Sequence, residues 1–184
     1  QFVGMSSLDP DRPPDLKEAR TVRNPSARRD AHCPSAGLRD LLLDFYHRCL
    51  SVAQKLQGDT ATVLDVPSDY FHSRITGENV TLRLLHYPPL AAQESEQLGA
   101  GAHTDYGLLT LLFQDQVGGL EVLGRQSDNW IPVAPRAGEI VVNTGDLMER
   151  WTNGRFRSTC HRVQPQTCLL YTSPSPRAQR GAGG

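Results

Sequence analysis

A succession of short apolar segments, separated by turns rich in glycine and proline, is the feature of this sequence that most restricts its fold. The segments that favour a strand are residues 81–87, 108–113, 120–123, 130–133, 139–143 and 158–163. Pro88-Pro89 ends the first segment, because consecutive prolines cannot continue a central strand, and Gly118-Gly119 provides a turn before the third. Short strands at such regular spacing are typical of antiparallel sandwiches and barrels. The sequence therefore predicts a mainly β fold, either a jelly roll or a barrel.

One long amphipathic helix is expected before this β region, over residues 37–57. Apolar residues recur there every three or four positions, which marks one face of a helix. They are Leu38, Leu41, Leu42, Phe45, Cys49, Val52, Ala53 and Leu56. Such a face has to pack against another element, and a sheet is the expected partner. Residues 15–20 are expected to form a short helix in an N-terminal region that otherwise has the composition of a loop.

Charge and cysteine content argue against several classes of partner and site. Lys plus Arg is 19 and Asp plus Glu is 20, a formal net charge of −1, which gives no electrostatic reason to expect a nucleic acid or an anionic membrane as partner. The cysteines, Cys33, Cys49, Cys160 and Cys168, do not have the spacing of a zinc site or of a disulfide framework. Isolated cysteines are typical of a reducing compartment, so we expect a cytoplasmic protein.

Three residues have the types and the spacing of a metal site. In a strand, His103 and Asp105 project from the same face, because side chains alternate. His161 lies in the segment 158–163, where Cys160 projects from the opposite face. Two imidazoles and one carboxylate suit Fe(II), since this set leaves three coordination positions open for a chelating co-substrate and O₂. A His-x-Asp pair also arises by chance, and from spacing alone His103 is equally well an ordinary strand histidine.

Five sequence blocks in the second half of the chain form a recognisable series. They are RLLHYPP at 83–89, GAHTDYGLLTLL at 101–112, VNTGDL at 142–147, WTNGRF at 151–156 and STCHRV at 158–163. In this order they resemble the isopenicillin N synthase-like family of Fe(II)/2-oxoglutarate-dependent dioxygenases. The resemblance implies a double-stranded β-helix, the jelly roll of that family, over residues 79–167. Residues 1–78, which contain the helix, would then be a partial N-terminal region.

The resemblance also implies a chemistry. His103, Asp105 and His161 would be the Fe(II) ligands, and Tyr87 occupies the place of a tyrosine that contacts 2-oxoglutarate. The implied enzyme uses O₂ and converts 2-oxoglutarate to succinate and CO₂ while it hydroxylates or desaturates a small organic substrate. No catalytic residue beyond the metal ligands is implied, and the complete protein is expected to be a monomer. Asn143 and Asp146 are expected either to form turns or to support the metal ligands from behind, and the turn-forming role is favoured.

The sequence departs from the family at the contacts with 2-oxoglutarate. Leu85 stands where many members have an asparagine. Tyr171 and Ser173 occupy the offsets of the family's Arg-x-Ser pair, so the arginine is absent, and a tyrosine cannot replace its two-pronged cationic contact with a carboxylate. Two alternatives stay open: an iron oxidase of the isopenicillin N synthase type, which uses no 2-oxoglutarate, and a non-catalytic jelly-roll scaffold.

The end of the chain has an unusual sequence. Residues 168–177, CLLYTSPSPR, resemble one reading frame of an adaptor used in sequencing libraries. We therefore expect residues 168–184 to be a disordered, non-native tail and the chain to be an inactive, C-terminally truncated piece of a longer dioxygenase. Without the strands that follow it in the family, the strand around His161 is expected to be an exposed sheet edge, which favours aggregation. The chain is accordingly expected to be poorly soluble.

Overall fold

The strands of the computed structural model form three antiparallel sheets. The structure describes residues 14–23, 35–74, 80–88 and 97–165. The strands are β1 (Glu18–Arg23), β2 (Thr81–His86), β3 (Ala100–His103), β4 (Leu109–Leu112), β5 (Leu120–Leu123), β6 (Trp130–Pro132), β7 (Val141–Thr144) and β8 (His161–Val163). The helices are α1 (Ala36–Val63) and α2 (Asp146–Trp151). The predicted mainly β, antiparallel architecture is confirmed, and β5 has the predicted bounds.

The four-stranded sheet has the order β3-β8-β5-β6, and β1-β2 and β4-β7 form separate pairs. Strand β8 is therefore central, since His161 lies opposite His103 on one side and opposite Val122 on the other. The expectation that this strand would be an exposed edge is wrong. Its two partners are strands that precede it in the chain, so its hydrogen bonds do not depend on strands that follow it.

Helix α1 extends six residues beyond the predicted end at residue 57 and begins one residue earlier. Ser35 caps its N-terminus, because the Ser35 hydroxyl oxygen accepts a hydrogen bond of 3.2 Å from the Leu38 amide. The buried residues of α1 are Tyr46 and Ala61, neither of which belongs to the apolar set expected to pack. Leu41, which does belong to it, is 64% exposed. The predicted helical period is correct, and the helix packs at two places: Phe45 contacts the Phe113 ring with centroids 5.1 Å apart, and Ala61 joins the core.

The helix expected over residues 15–20 is a wrong prediction, since Glu18–Arg23 is strand β1. This strand pairs along its whole length with β2, from Glu18 opposite His86 to Arg23 opposite Thr81. Local sequence at 15–20 gives no alternating pattern. The strand conformation is therefore explained by pairing with a distant segment, which supplies its backbone hydrogen-bond partners.

A small core joins the end of α1 to α2. Ala61, Phe71 and Met148 are at most 1% exposed and pack together, and Leu108 and Leu109 pack against them. The core thus fixes α2 beside the segment between β3 and β4, where Asp105 lies. Within the described residues, no helix combines the length and the apolar character needed to cross a lipid bilayer.

Candidate metal centre

The fold brings His103, Asp105 and His161 together. One possible ligand atom from each residue lies within 4.8 Å of the others, which makes a group that could hold a metal ion. The His161 Nε2 atom is 3.9 Å from the Asp105 Oδ1 atom. The two imidazole centroids are 4.3 Å apart. Among the described residues, no other set of three or more histidine, cysteine or carboxylate side chains brings its possible ligand atoms this close together.

His103 is the last residue of β3, and a β-bulge directly precedes it. Ala100 lies opposite Val163 and His103 lies opposite His161, so two residues of β3, Gly101 and Ala102, oppose one residue of β8. Bulges of this kind bend a strand and re-aim its side chains, and they are frequent beside active sites. The bulge therefore sets the direction in which the His103 imidazole leaves the sheet.

Both imidazoles are held through the ring nitrogen that faces away from the cluster. The His103 Nδ1 atom is 2.7 Å from the Gly101 carbonyl oxygen, and the His161 Nδ1 atom is 3.0 Å from the Thr159 carbonyl oxygen. A carbonyl oxygen only accepts, so each Nδ1 carries the hydrogen and donates it. In the neutral ring, each Nε2 then has a free electron pair, as a metal ligand requires.

Asp105 reaches the cluster by a different route from the one that the sequence predicts. Strand β3 ends at His103, so Asp105 lies in the following loop and does not share a strand face with His103. The Asp146 amide donates to the Asp105 carbonyl oxygen at 2.7 Å, and the Asn143 side-chain amide donates to Asp105 Oδ2 at 2.8 Å. These two contacts hold the loop and leave Oδ1 facing the imidazoles.

Of the two roles expected for Asn143 and Asp146, the structure favours support of Asp105 over the formation of turns. Asn143 lies within strand β7, and Asp146 is the first residue of α2, where its carboxylate accepts a hydrogen bond of 3.3 Å from the Thr104 hydroxyl. The partnership of Asn143 with Asp105 spans 38 positions of the chain. No local pattern could have revealed it, although both residues belong to the blocks on which the family resemblance rests.

Gly145 makes the approach of α2 to this loop possible. A Cβ atom at Gly145 would collide with the Gly107 carbonyl oxygen and would come within 2.5 Å of the Asp105 carbonyl oxygen. The φ of Gly145 is −101°, a value open to any residue, so the requirement for glycine here is steric. The loop that carries Asp105 is therefore packed directly against backbone.

The electrostatic environment favours the neutral form of His103. Burial lowers the pKa of His103, and the positive charges that His161 and Lys17 can carry lower it further, against the opposing effects of the Gly101 carbonyl and Asp105. A neutral imidazole is the form that binds a metal. Two imidazoles and one carboxylate, each with an outer hydrogen-bond partner, fit the ligand set of a non-haem Fe(II) site.

The residues predicted to contact 2-oxoglutarate are described only in part. Tyr87 directly follows β2 and packs on Gly99, where an added Cβ would come within 2.9 Å of the Tyr87 ring. Burial raises the pKa of Tyr87, and the charge of Asp15 raises it further, so the hydroxyl keeps its proton. Leu85 is 45% exposed on β2. Tyr171, Ser173 and the segment 168–184 lie outside the described residues.

Comparison with known proteins shows which family this chain resembles. The family model of the 2OG-Fe(II) oxygenase superfamily matches residues 78–169. Among curated proteins, the chain is 43% identical over 127 residues to the 2-oxoglutarate-Fe(II) type oxidoreductase hxnY of Emericella nidulans, a match of 68% of this chain and 36% of that protein. It is 40% identical over 131 residues to the proline hydroxylase buaE of Petromyces alliaceus, covering 69% of this chain and 41% of that protein. The chain thus spans well under two thirds of either relative.

Solved structures agree with this comparison. A full-length Neurospora crassa protein in complex with alpha-KG superimposes with a TM-score of 0.73 at 34% identity, covering 83% of this chain and 50% of that one. JOX2 in complex with 2OG, Fe and JA superimposes with a TM-score of 0.77 at 26% identity, covering 90% of this chain and 50% of that one. These likenesses confirm the predicted double-stranded β-helix.

Proposed function

The chain belongs to the 2OG-Fe(II) oxygenase superfamily, and on that premise we propose that His103, Asp105 and His161 hold the Fe(II) of a dioxygenase that oxidises a small organic molecule. The observation that carries the proposal is the convergence of three ligand atoms within 4.8 Å, with both Nδ1 atoms turned to backbone carbonyls. The five sequence blocks support a place in the isopenicillin N synthase-like group of the superfamily. A cytoplasmic location and a monomeric state of the complete protein remain part of the same proposal.

Each residue of the proposed site has a separate role. When bound, Fe(II) supplies open positions for 2-oxoglutarate and O₂ and couples the conversion of 2-oxoglutarate to succinate and CO₂ to the oxidation of the substrate. His103 and His161 present their Nε2 atoms, and Asp105 contributes a negative charge through Oδ1. Asn143 keeps the carboxylate in that orientation through Oδ2. Tyr87 keeps its phenolic proton and is proposed to donate it in a hydrogen bond to 2-oxoglutarate.

Metal content tests the ligand assignment. Purified chain, loaded with Fe(II) without oxygen, is expected to hold one equivalent, and His103→Ala, Asp105→Ala and His161→Ala are each expected to lose it. The matched control is His72→Ala, because His72 is exposed in a short 3-10 turn. Unchanged iron content in the three variants would refute the assignment. If the wild-type chain bound no iron, the non-catalytic scaffold would be the better interpretation.

A second candidate, the iron oxidase that uses no 2-oxoglutarate, is favoured by one observation. Tyr171 stands at the offset where the family has the arginine that binds the distal carboxylate, while Ser173 matches the second position. Replacing residues 168–184 with a C-terminal segment that carries the family's Arg-x-Ser pair would supply the missing arginine. Removing the cationic partner of a buried carboxylate costs about 3–5 kcal/mol, so the replacement should strengthen 2-oxoglutarate binding about a hundredfold or more.

Succinate release and 2-oxoglutarate affinity distinguish the two candidates. The matched control is the same replacement segment with leucine in place of that arginine. A gain restricted to the segment with the arginine would favour the 2-oxoglutarate-dependent enzyme. Equal and negligible succinate release from both variants, with iron still bound, would favour the oxidase.

A further inference from the structure

We propose that Asp15, held by Lys17, is a positioning residue that fixes the bulge of β3 and thereby aims the metal ligand His103. This inference rests on the proposed function, since it concerns the same metal centre. It adds a residue from the N-terminal part of the chain to a site whose proposed ligands lie in the second half.

The bulge creates a need for a hydrogen-bond acceptor. Where Gly101 and Ala102 oppose a single residue of β8, the regular ladder is interrupted and the extra residue is left without its strand partner. Gly101 is buried, and a buried amide without an acceptor costs about 1–3 kcal/mol. The Gly101 amide donates instead to Asp15 Oδ1 at 2.7 Å. Asp15 therefore satisfies the donor that the bulge releases from the sheet.

The second carboxylate oxygen of Asp15, Oδ2, is also bound by a partner. The Lys17 ammonium lies 2.7 Å from Asp15 Oδ2, and the two side chains are 10% and 2% exposed for Lys17 and Asp15. A carboxylate so deeply buried is stable only when it is paired and hydrogen-bonded, and here both oxygens have partners. The pair thus forms a rigid acceptor for Gly101.

Gly101 transmits this restraint to the imidazole. The Gly101 amide donates a hydrogen bond to Asp15, and the Gly101 carbonyl oxygen accepts one from His103 Nδ1 at 2.7 Å. A shift of Gly101 would therefore turn the His103 ring and move Nε2, the atom proposed to bind iron. Two further contacts hold residues 14–17 beside the segment that directly precedes β3: the Leu16 amide donates to the Leu98 carbonyl at 3.0 Å, and the Gln97 side chain donates to the Pro14 carbonyl at 2.5 Å.

A pair of double variants isolates the acceptor atom. Asp15→Asn with Lys17→Met removes both charges and keeps an oxygen that can accept from Gly101. Asp15→Leu with Lys17→Met removes the same charges and that oxygen, at nearly the same side-chain size. Both proteins therefore lack the same two charges, and they differ in the acceptor for Gly101.

The measurements are the Fe(II) and Co(II) dissociation constants of the full chain, the visible absorption spectrum of bound Co(II), and the melting temperature without metal. We expect the leucine variant to bind metal about 10- to 100-fold more weakly and to show an altered Co(II) spectrum. The asparagine variant is expected to stay within about threefold of the wild type and to keep its spectrum. Asp44→Leu, which removes an exposed carboxylate paired with Arg48, is the control and should change neither.

Each outcome decides the question. Equal affinities and spectra in the two double variants would overturn the positioning role, even if both melt at a lower temperature. If both double variants fail to fold, Asp15→Glu, which keeps both charges and displaces the carboxylate, provides the test. An altered Co(II) spectrum at unchanged melting temperature would support the proposal, and an unaltered spectrum would overturn it. A wild-type chain that binds neither metal would refute the proposed function as well, which distinguishes the two failures.

Discussion

Asn143 donates a hydrogen bond of 2.8 Å to Asp105 Oδ2, so that Oδ1 is the oxygen left facing the two imidazoles. Asn143→Leu keeps the size of the side chain and removes the donor. We expect Fe(II) affinity to fall about 10- to 100-fold, as is usual when the outer partner of a metal ligand is lost. Isothermal titration with Fe(II) or Co(II) measures the change. Asn129→Leu, in an exposed turn, is the control, and equal affinities of the two variants would contradict the role given to Asn143.

Tyr87 provides a prediction for alkaline pH. Burial, and then the charge of Asp15, raises the pKa of Tyr87 above the ordinary value of 10.0, while Arg83 opposes this. Because the folded pKa is raised, the contribution of Tyr87 to stability is complete below pH 10 and is lost as the pH rises through the higher folded value. Tyrosinate absorbance during a pH titration should show that Tyr87→Phe removes a transition above pH 10. Removal of a transition at or below that value would contradict the prediction.

At the level of elements, the packing of α2 against the loop of Asp105 depends on the absence of one side chain. Gly145→Ala would place a methyl group against the carbonyl oxygens of Gly107 and Asp105, so the loop and its carboxylate must move. We expect loss of stoichiometric metal binding together with a lower melting temperature. Gly107→Ala is the matched control, because a Cβ there would meet nothing within 4 Å. Equal metal binding by the two variants would show that the loop yields without displacing Asp105.

The sequence predicted individual strands and helices better than it predicted which strands pair and which side chains meet. Strand β5 and the helical period of α1 follow from local alternation and spacing, and the three proposed ligands were found by residue type and family resemblance. The strand face assigned to Asp105 was wrong, because the β3 bulge and the early end of that strand depend on its pairing with β8. Strand β1, the position of β8 and the contacts of Asn143 likewise depend on partners distant in the sequence. Local patterns do not contain such pairings.

For the molecule as a whole, a bound metal should act as a cross-link. The proposed ligands come from β3, the loop after it and β8, so metal bound to the folded state opposes separation of these elements. A ligand at a free concentration a hundred times its dissociation constant stabilises the folded state by about 2.7 kcal/mol. For a chain of this size, that corresponds to a rise in melting temperature of about 5–10 °C. Calorimetry should show the shift for wild type and His72→Ala and its loss in His161→Ala; a shift that survives in His161→Ala would place the metal elsewhere.

The expected poor solubility stays a prediction, although one of its premises was wrong. Strand β8 is central, but large apolar side chains remain exposed on other strands, among them Leu85 at 45%, Ile131 at 50% and Val142 at 45%. Exposed apolar surface binds hydrophobic dyes and favours association. Dye fluorescence of the wild-type chain should exceed that of a variant with Ile131→Thr and Val142→Thr. Equal fluorescence, with a single sharp thermal transition, would contradict the prediction.

The central place of β8 also has a consequence for the order in which a ribosome produces this fold. Of the described strands, β8 is synthesised last, yet it must enter between β3 and β5, which have emerged long before it. At roughly 5–20 residues per second, Asp15 waits on the order of ten seconds before Val163 has been added. From the synthesis of β5 until that moment, β3 and β5 lack the strand that lies between them, and neither the bulge nor the pair of facing imidazoles can exist. Metal can therefore bind the three proposed ligands only after β8 has been synthesised, and the nascent chain is most exposed to wrong partners just before its central strand arrives.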